Sequence, residues 1–290
     1  MSYRTAFGGL LLSALTALPP MLHAHENHGG TSTDNGPSAT AAVGKAWTTL
    51  PTLLATMSRG GPPGVRLTST GGPFENAFIQ TPENPLSVPL TAAAGGWQAD
   101  KALLGSGGHL WFRAERSDES GTLRQIVRAS TYDFFPAKHQ VPTEMLLAPR
   151  GGLEIVPLRL QEHGGTREGS RWRFLVRFEN AALPGSVLRM ETEGGSRRDF
   201  TADRDGIVEI ELPHDFSADR LNRREGMAAQ QAFVLAARHT AGDTRYLSTY
   251  SQFYHPDRMR ERNLGAGIGV FALGMLLAVP LLRRKEKKNA

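Results

Sequence analysis

The chain has 290 residues, 40% hydrophobic and 8% aromatic, with 32 glycines, 18 prolines and no cysteine. Without thiols there are no disulfides, thiolate metal sites or cysteine nucleophiles, and the glycine and proline load favours short strands and turns over long helices. The net charge of +5 is not a nucleic-acid signature: Arg283, Arg284, Lys285, Lys287 and Lys288, opposed only by Glu286, carry four of those charges at one terminus. A terminal basic cluster beside an apolar run reports membrane topology instead.

Residues 1–24 read as a cleavable signal peptide. Arg4 supplies the positive start, "AFGGLLLSALTAL" the apolar stretch, and "PPMLHA" a breaking segment that ends on the small Ala24. Leu22 is bulkier than the usual residue three places before a cut, so an uncleaved N-terminal anchor remains the alternative. Residues 25–42, "HENHGGTSTDNGPSATAA", hold almost no large apolar side chains. Such a segment cannot offset its ordering entropy and is expected to be a flexible polar arm.

A β-rich region is expected over residues 43–150. It opens on "AVGKAWTTLPTLLATM", where Trp47, Leu50, Leu53, Leu54 and Met57 recur at helical spacing and predict a short helix broken at Pro51. Further on, "HLWFRAERS" and "TLRQIVRASTYDFF" read as strands among Gly-Pro turns.

Residues 151–256 are more legible. "LEIVPLRL" predicts a strand, and "RWRFLVRF" alternates, with Trp172, Phe174, Val176 and Phe178 on one face and Arg171, Arg173 and Arg177 on the other. "VLRMET" and "IVEIEL" repeat the period, with "DRDG" between them as a hairpin-type turn and Gly206 available for positive φ. "QAFVLAARH" and "TRYLSTYSQFY", joined by "AGD", complete about seven strands. That number and spacing predict an immunoglobulin-like or transthyretin-like β-sandwich.

Residues 264–282, "LGAGIGVFALGMLLAVPLL", contain no charge and are long enough for one transmembrane helix. Five basic residues follow it and Arg258, Arg260 and Arg262 precede it, so residues 283–290 are expected as a basic cytoplasmic tail. Gly265 and Gly269 form a GxxxG pair, which offers a homodimer contact through the helix. Together the two ends predict a single-pass protein of a bacterial inner membrane with its folded part in the periplasm.

The runs "GGLEIVPL", "RFLVRFENAALPGSVLRMET", "FTADRDGIVEIELP" and "RYLSTYSQFY" carry a family resemblance. From Gly151 to Tyr254 the chain resembles the C-terminal domain of a broad, poorly characterised bacterial family of periplasmic proteins. Some of its members are accessory components of nickel- and cobalt-type uptake transporters. Glu154, Pro157, Pro184, Gly185, Asp203, Asp205, Gly206, Tyr246 and Thr249 occupy the family's positions. These are mostly turn and strand residues, so what the resemblance implies first is the fold. It also implies a metal role for an N-terminal histidine, although here a long polar arm separates that histidine from the first strand.

Cleavage after Ala24 would make His25 the first residue, able to chelate through its free amine and imidazole, with His28 adding a third nitrogen. Nitrogen ligands of this kind suit nickel, cobalt, copper or zinc ions. His109 in "GSGGHLWF" and His139 in "FFPAKHQVP" are the candidates for completing the set from the body, both read as exposed. The opposing reading is that histidines at an export boundary are polar spacers. Asp203 and Asp205 lack the further oxygen ligands of a calcium loop. His214 and Asp215, adjacent on a loop, make no catalytic dyad, and no serine-nucleophile, phosphate-loop or zinc-protease motif is present. The chain therefore reads as a non-enzyme with no nucleic-acid partner. The favoured expectation is a membrane-anchored accessory protein for transition-metal uptake or handling that presents an ion to a membrane permease or other inner-membrane protein. The rival is a metal-free structural protein of an envelope complex whose sandwich binds protein or glycan.

Overall fold

The computed structural model describes residues 46–57, 64–104, 108–135, 142–160, 166–217, 229–257 and 268–278. Its first half carries β1 (Thr52–Met57), β2 (Gly64–Thr70), β3 (Asn76–Gln80), β4 (Val88–Pro89), β5 (Thr91–Ala93), β6 (Gly96–Asp100), β7 (Gly108–Ser120), β8 (Leu123–Phe135) and α1 (Thr143–Leu147). The second half carries β9 (Leu153–Pro157), β10 (Thr166–Arg167), β11 (Arg171–Phe178), β12 (Ala181–Ala182), β13 (Val187–Thr192), β14 (Arg197–Thr201), β15 (Ile207–Glu211), β16 (Gln231–Ala241) and β17 (Thr244–His255). A further helix, α2, spans 268–278. The described part of the molecule is mainly β, in line with its glycine and proline content.

Three sheets result. One runs β1-β2-β6-β5, and a third runs β12-β11-β15 with β9 on the free side of β11. Between them lies a long central sheet, β14-β13-β16-β17-β8-β7-β3-β4, with β10 also on β17. The two halves of the chain meet inside this sheet, because β8, the last strand of the first half, pairs in parallel with β17, the last of the second.

The period of two in β7 and β8 explains the layering. Leu110, Phe112 and Ala114 of β7 join Val127 and Ala129 of β8 in a core with Leu53, Val65, Leu67 and Trp97 of the first sheet. Their neighbours Trp111 and Tyr132 belong instead to the second core, on the opposite face. There Trp172, Phe174 and Val176 of β11 pack against Leu188, Met190, Phe233, Leu235, Tyr250 and Tyr254. This second core is the interior of an immunoglobulin-like sandwich, with β9, β11 and β15 facing β14, β13, β16 and β17. The outer sheets therefore cover opposite faces of the central sheet, each at a different end.

Tyr250 joins the halves through side chains as well as backbone. It is fully buried and stacks on Trp111 at 5.9 Å, while Trp172 meets it edge-on at 6.1 Å. On the other face of β17, Thr249 Oγ1 donates to Pro51 O at 2.8 Å, and Leu50 packs on Val234 and Ala236.

The structure corrects three expectations. Residues 52–57 form no helix; they pair along their whole length with β2, Thr52 against Thr70 and Met57 against Val65. Pro51 ends any helical run before it, and the apolar spacing serves two unrelated contacts, Leu50 on β16 and Leu53 in the first core. "DRDG" is not a hairpin turn but a crossing between sheets, since among the described residues β14 pairs only with β13 and β15 only with β11. Asp203 Oδ1 accepts from Asp205 N at 2.9 Å and Ile207 N at 2.8 Å, so this carboxylate caps its own turn. Gly206, at φ +73°, is packed so closely that a Cβ would stand 2.8 Å from Val176 O. Lastly, Arg177 is buried, not solvated with Arg171 and Arg173, because the chain around α1 covers that end of β11.

Because one sheet serves both cores, the halves are expected to unfold together. Variants keeping only Trp97, in the first core, or only Trp172, in the second, should give the same denaturation midpoint by fluorescence. Two separated midpoints would mean that the shared sheet does not couple the halves.

Candidate functional site

Among the expected metal ligands, only His109 falls within the described residues; His25, His28 and His139 lie outside them. His109 is not at an exposed junction. It is 1% exposed, on the Trp111 face of β7, with the rings of Tyr132 and Phe134 at 5.8 and 5.0 Å. The other described histidines each face a different partner. His214 Nδ1 is 3.8 Å from Glu168 Oε2, His239 lies against Phe178 at 4.4 Å, and His255 Nδ1 is 3.1 Å from Ala229 O. Among the described residues no group of three histidines or carboxylates is placed to hold a metal ion.

The densest charged constellation was not singled out from sequence. It lies where the α1 segment folds across the central sheet, and comprises Arg113, Glu115, Arg128, Arg150, Glu154 and Arg177. Glu115 Oε1 sits 2.6 Å from Arg113 Nε and 3.0 Å from Arg128 Nε, and Arg177 Nε donates to Glu154 Oε2 at 2.5 Å. Arg177 also donates to Leu147 O at 3.2 Å and Ala148 O at 2.7 Å. Arg150 reaches the same turn, donating to Leu146 O and Ala148 O at 3.3 Å each and to Met145 O. Two guanidiniums thus satisfy carbonyls that the end of α1 leaves open.

Arg150 further donates to Gln80 Oε1 at 2.6 Å and lies over the Trp111 ring at 4.8 Å. Burial lowers its pKa to about 10, which still leaves it a cation at neutral pH. Burial also lowers that of Arg113, partly countered by Glu115. The pattern is that of a structural clamp: most of its planar donors face backbone carbonyls and carboxylates.

A second polar cluster closes the far end of the sandwich. Asp215 accepts from Ser196 Oγ at 2.6 Å, from Tyr254 OH at 3.0 Å and from Thr192 Oγ1. Burial, then the nearby Asp215, raises the Tyr254 pKa far above that of a free phenol. Glu168 accepts from Phe216 N at 2.8 Å and Asp257 N at 3.2 Å. His214 and Asp215 therefore turn to different partners. A cleft of about 160 Å³ is lined by Ile79, Thr81, Glu83, Asn84, Val88, Ala102 and Leu103. Thr81 and Asn84 spend backbone groups on each other there, at 3.0 and 3.1 Å.

The helix α2 is of another kind. Ile268, Val270, Phe271, Leu273, Met275, Leu276 and Leu277 are each more than half exposed. It covers part of the apolar run at 264–282, and among the described residues no helix is long and apolar enough to cross a membrane.

No family model matches the chain, and no curated protein does. Solved structures align with it only loosely. A 1.5-MDa bacterial ice-binding adhesin aligns at 10% identity and a TM-score of 0.24, over 72% of this chain and 66% of that one. A calcium-stabilised ice-binding adhesin of an Antarctic bacterium aligns at 13% identity and 0.24, over 71% and 49%. Fibronectin(III)-like modules of Clostridium thermocellum CbhA align at 8% and 0.22, over 72% and 98%. The chain thus spans less than two thirds of either adhesin chain, and scores this low carry no functional argument.

One half-buried carboxylate carries a measurable signature. Asp133 of β8 accepts from its neighbour Phe134 N at 2.8 Å, yet burial raises its pKa from 3.8 to about 6. The folded state therefore binds this proton more tightly than the unfolded chain. The resulting stabilisation is complete below about pH 4 and is lost as pH rises through about 6. Asp133→Asn should remove that dependence and gain up to about 3 kcal/mol at pH 7 relative to the parent. Urea unfolding of both proteins at pH 4, 5, 6 and 7, as about four samplings of this window, checks it.

Proposed function

We propose that this chain is a membrane-tethered interaction module of a bacterial envelope, in which a rigid β body is held at the membrane by the apolar helix and binds another envelope protein. The observation that carries the reading is the exposure of α2: Phe271, Leu273, Leu276 and Leu277 are 59–69% exposed. An apolar helix left uncovered by its own protein needs a non-aqueous neighbour. The rest of the apolar run at 264–282 and the basic residues after it fit a bilayer-spanning helix better than a soluble partner groove.

The body supports a binding role more than chemistry. Arg150 and Arg177 are engaged in structural contacts, and its outer strands present mixed charge, as where Arg171 lies 3.3 Å from Glu211 and 3.8 Å from Glu209. Transition-metal handling would then rest on His25, His28 and His139, since His109 is enclosed by aromatic rings. In that version the arm captures the ion, and the body is its mount.

Phe271→Lys together with Leu276→Lys should move the full chain from the membrane pellet to the soluble fraction, at least about tenfold, because each lysine near a helix centre costs about 3 kcal/mol in the bilayer. Retention in the pellet would count against the tether. Isothermal titration with nickel and copper ions, comparing the parent with His25→Ala/His28→Ala, separates the arm's role from the body's. Equal heats would remove the metal from the account and leave the interaction module.

A further inference from the structure

A cavity of about 10 Å³ lies between the central sheet and the segment leading into β9, lined by Trp111, Arg113, Arg128, Ser130, Arg150, Leu153, Glu154, Ile155 and Ser248. Most of its polar groups are already engaged. Ser130 Oγ donates to Thr249 O at 3.0 Å, and the Arg150 guanidinium is spent on Gln80 and the α1 carbonyls. Arg128 donates to Gly151 O and pairs with Glu115. Five buried side-chain atoms on the lining residues have no hydrogen-bond partner. Arg113 Nε and Arg128 Nε stand in ion pairs with Glu115 Oε1 at 2.6 and 3.0 Å, which leaves the donors Trp111 Nε1 and Arg113 Nη1 and the acceptor Glu154 Oε1 with neither kind of partner. An unmet buried polar atom costs roughly 1–3 kcal/mol, so three around one cavity mark a ligand and not an accident of packing.

The size and chemistry of the cavity decide which ligand. Its volume admits one water-sized centre, at the lower limit for a single water, and excludes phosphate, sulfate or a carboxylic acid. A monatomic anion would be drawn by the four guanidiniums, which outnumber the two carboxylates of the cluster, but it would face Glu154 Oε1, which also requires a donor. Only a molecule that accepts and donates at once satisfies all three atoms. We infer that this cavity is the site of one internal water, accepting from Trp111 Nε1 and Arg113 Nη1 and donating to Glu154 Oε1.

Such a water joins β7 of the first half to β9 of the second. It makes the seam between the sandwiches a three-way polar joint, where the β8–β17 ladder supplies the backbone contact. The three hydrogen bonds are the usual complement of an internal water, and they would hold the Glu154 carboxylate in line for Arg177.

Crystals of the detergent-solubilised full chain, grown in chloride and then soaked in bromide, test the assignment. The expected result is one ordered peak in the cavity, at hydrogen-bond distance from all three atoms, with no anomalous signal at the bromide edge. An anomalous bromide peak there would replace the water with an anion site, and a cavity without density would overturn the site altogether. Neither result bears on membrane tethering, so this inference and the proposed function fail separately.

Discussion

The parallel ladder between β8 and β17 is the constraint on which the rest of the molecule depends. It aligns Arg124 with Thr244 and Ser130 with Tyr250, so the inward and outward faces of two separately built halves match residue for residue. A slip of one position would turn Tyr250 from the aromatic core into the first-sheet core and carry Thr249 the other way. With the register fixed, each half keeps one face of the common sheet for its own outer sheet. Neither half then has to cover both faces alone.

The cost of that arrangement falls on the part of the second face that no sheet covers. Beyond the edge of β9, the positions on β7 and β8 that would extend the aromatic core are Arg113, Glu115 and Arg128. The α1 segment closes over them. Charged groups in such a place must find partners or remain in reach of water, and this seam uses both routes. Glu115 and Glu154 take guanidiniums, while the turn after α1 supplies carbonyls. Arg150 adds a cation over the face of Trp111, tying the clamp to the same ring that stacks on Tyr250. Polar closure and aromatic core therefore share a side chain.

How much of this was legible in sequence varies by residue. β11 could be read because Trp172, Phe174 and Val176 alternate with arginines, which is a local signal. The same alternation misplaced Arg177, since period alone does not say which end of an outer face another segment will cover. β1 was unreadable because Leu50 and Leu53 answer to different cores while their spacing imitates one helical stripe. "DRDG" announced a turn through Asp203 and Gly206 but not which sheets it would connect. The pairing of β8 with β17 left no local trace, because its partners lie about 120 residues apart. His109 looked accessible from the glycines before it, whereas Tyr132 and Phe134 of the next strand decide its surroundings.

The joining of last strand to last strand also sets a timetable. The first half is complete in sequence at β8, yet the long free edge of that strand has no neighbour until β17, at the far end of the body, has been made. Until then the stretch from Arg124 to Ser130 has no β17 partner along that side. Such an edge is a template for pairing with other chains, and a closure that waits on distant contacts is slow. This protein is thus most vulnerable to aggregation just before its final strand arrives, and a truncation removing β17 would injure the first half as much as the second.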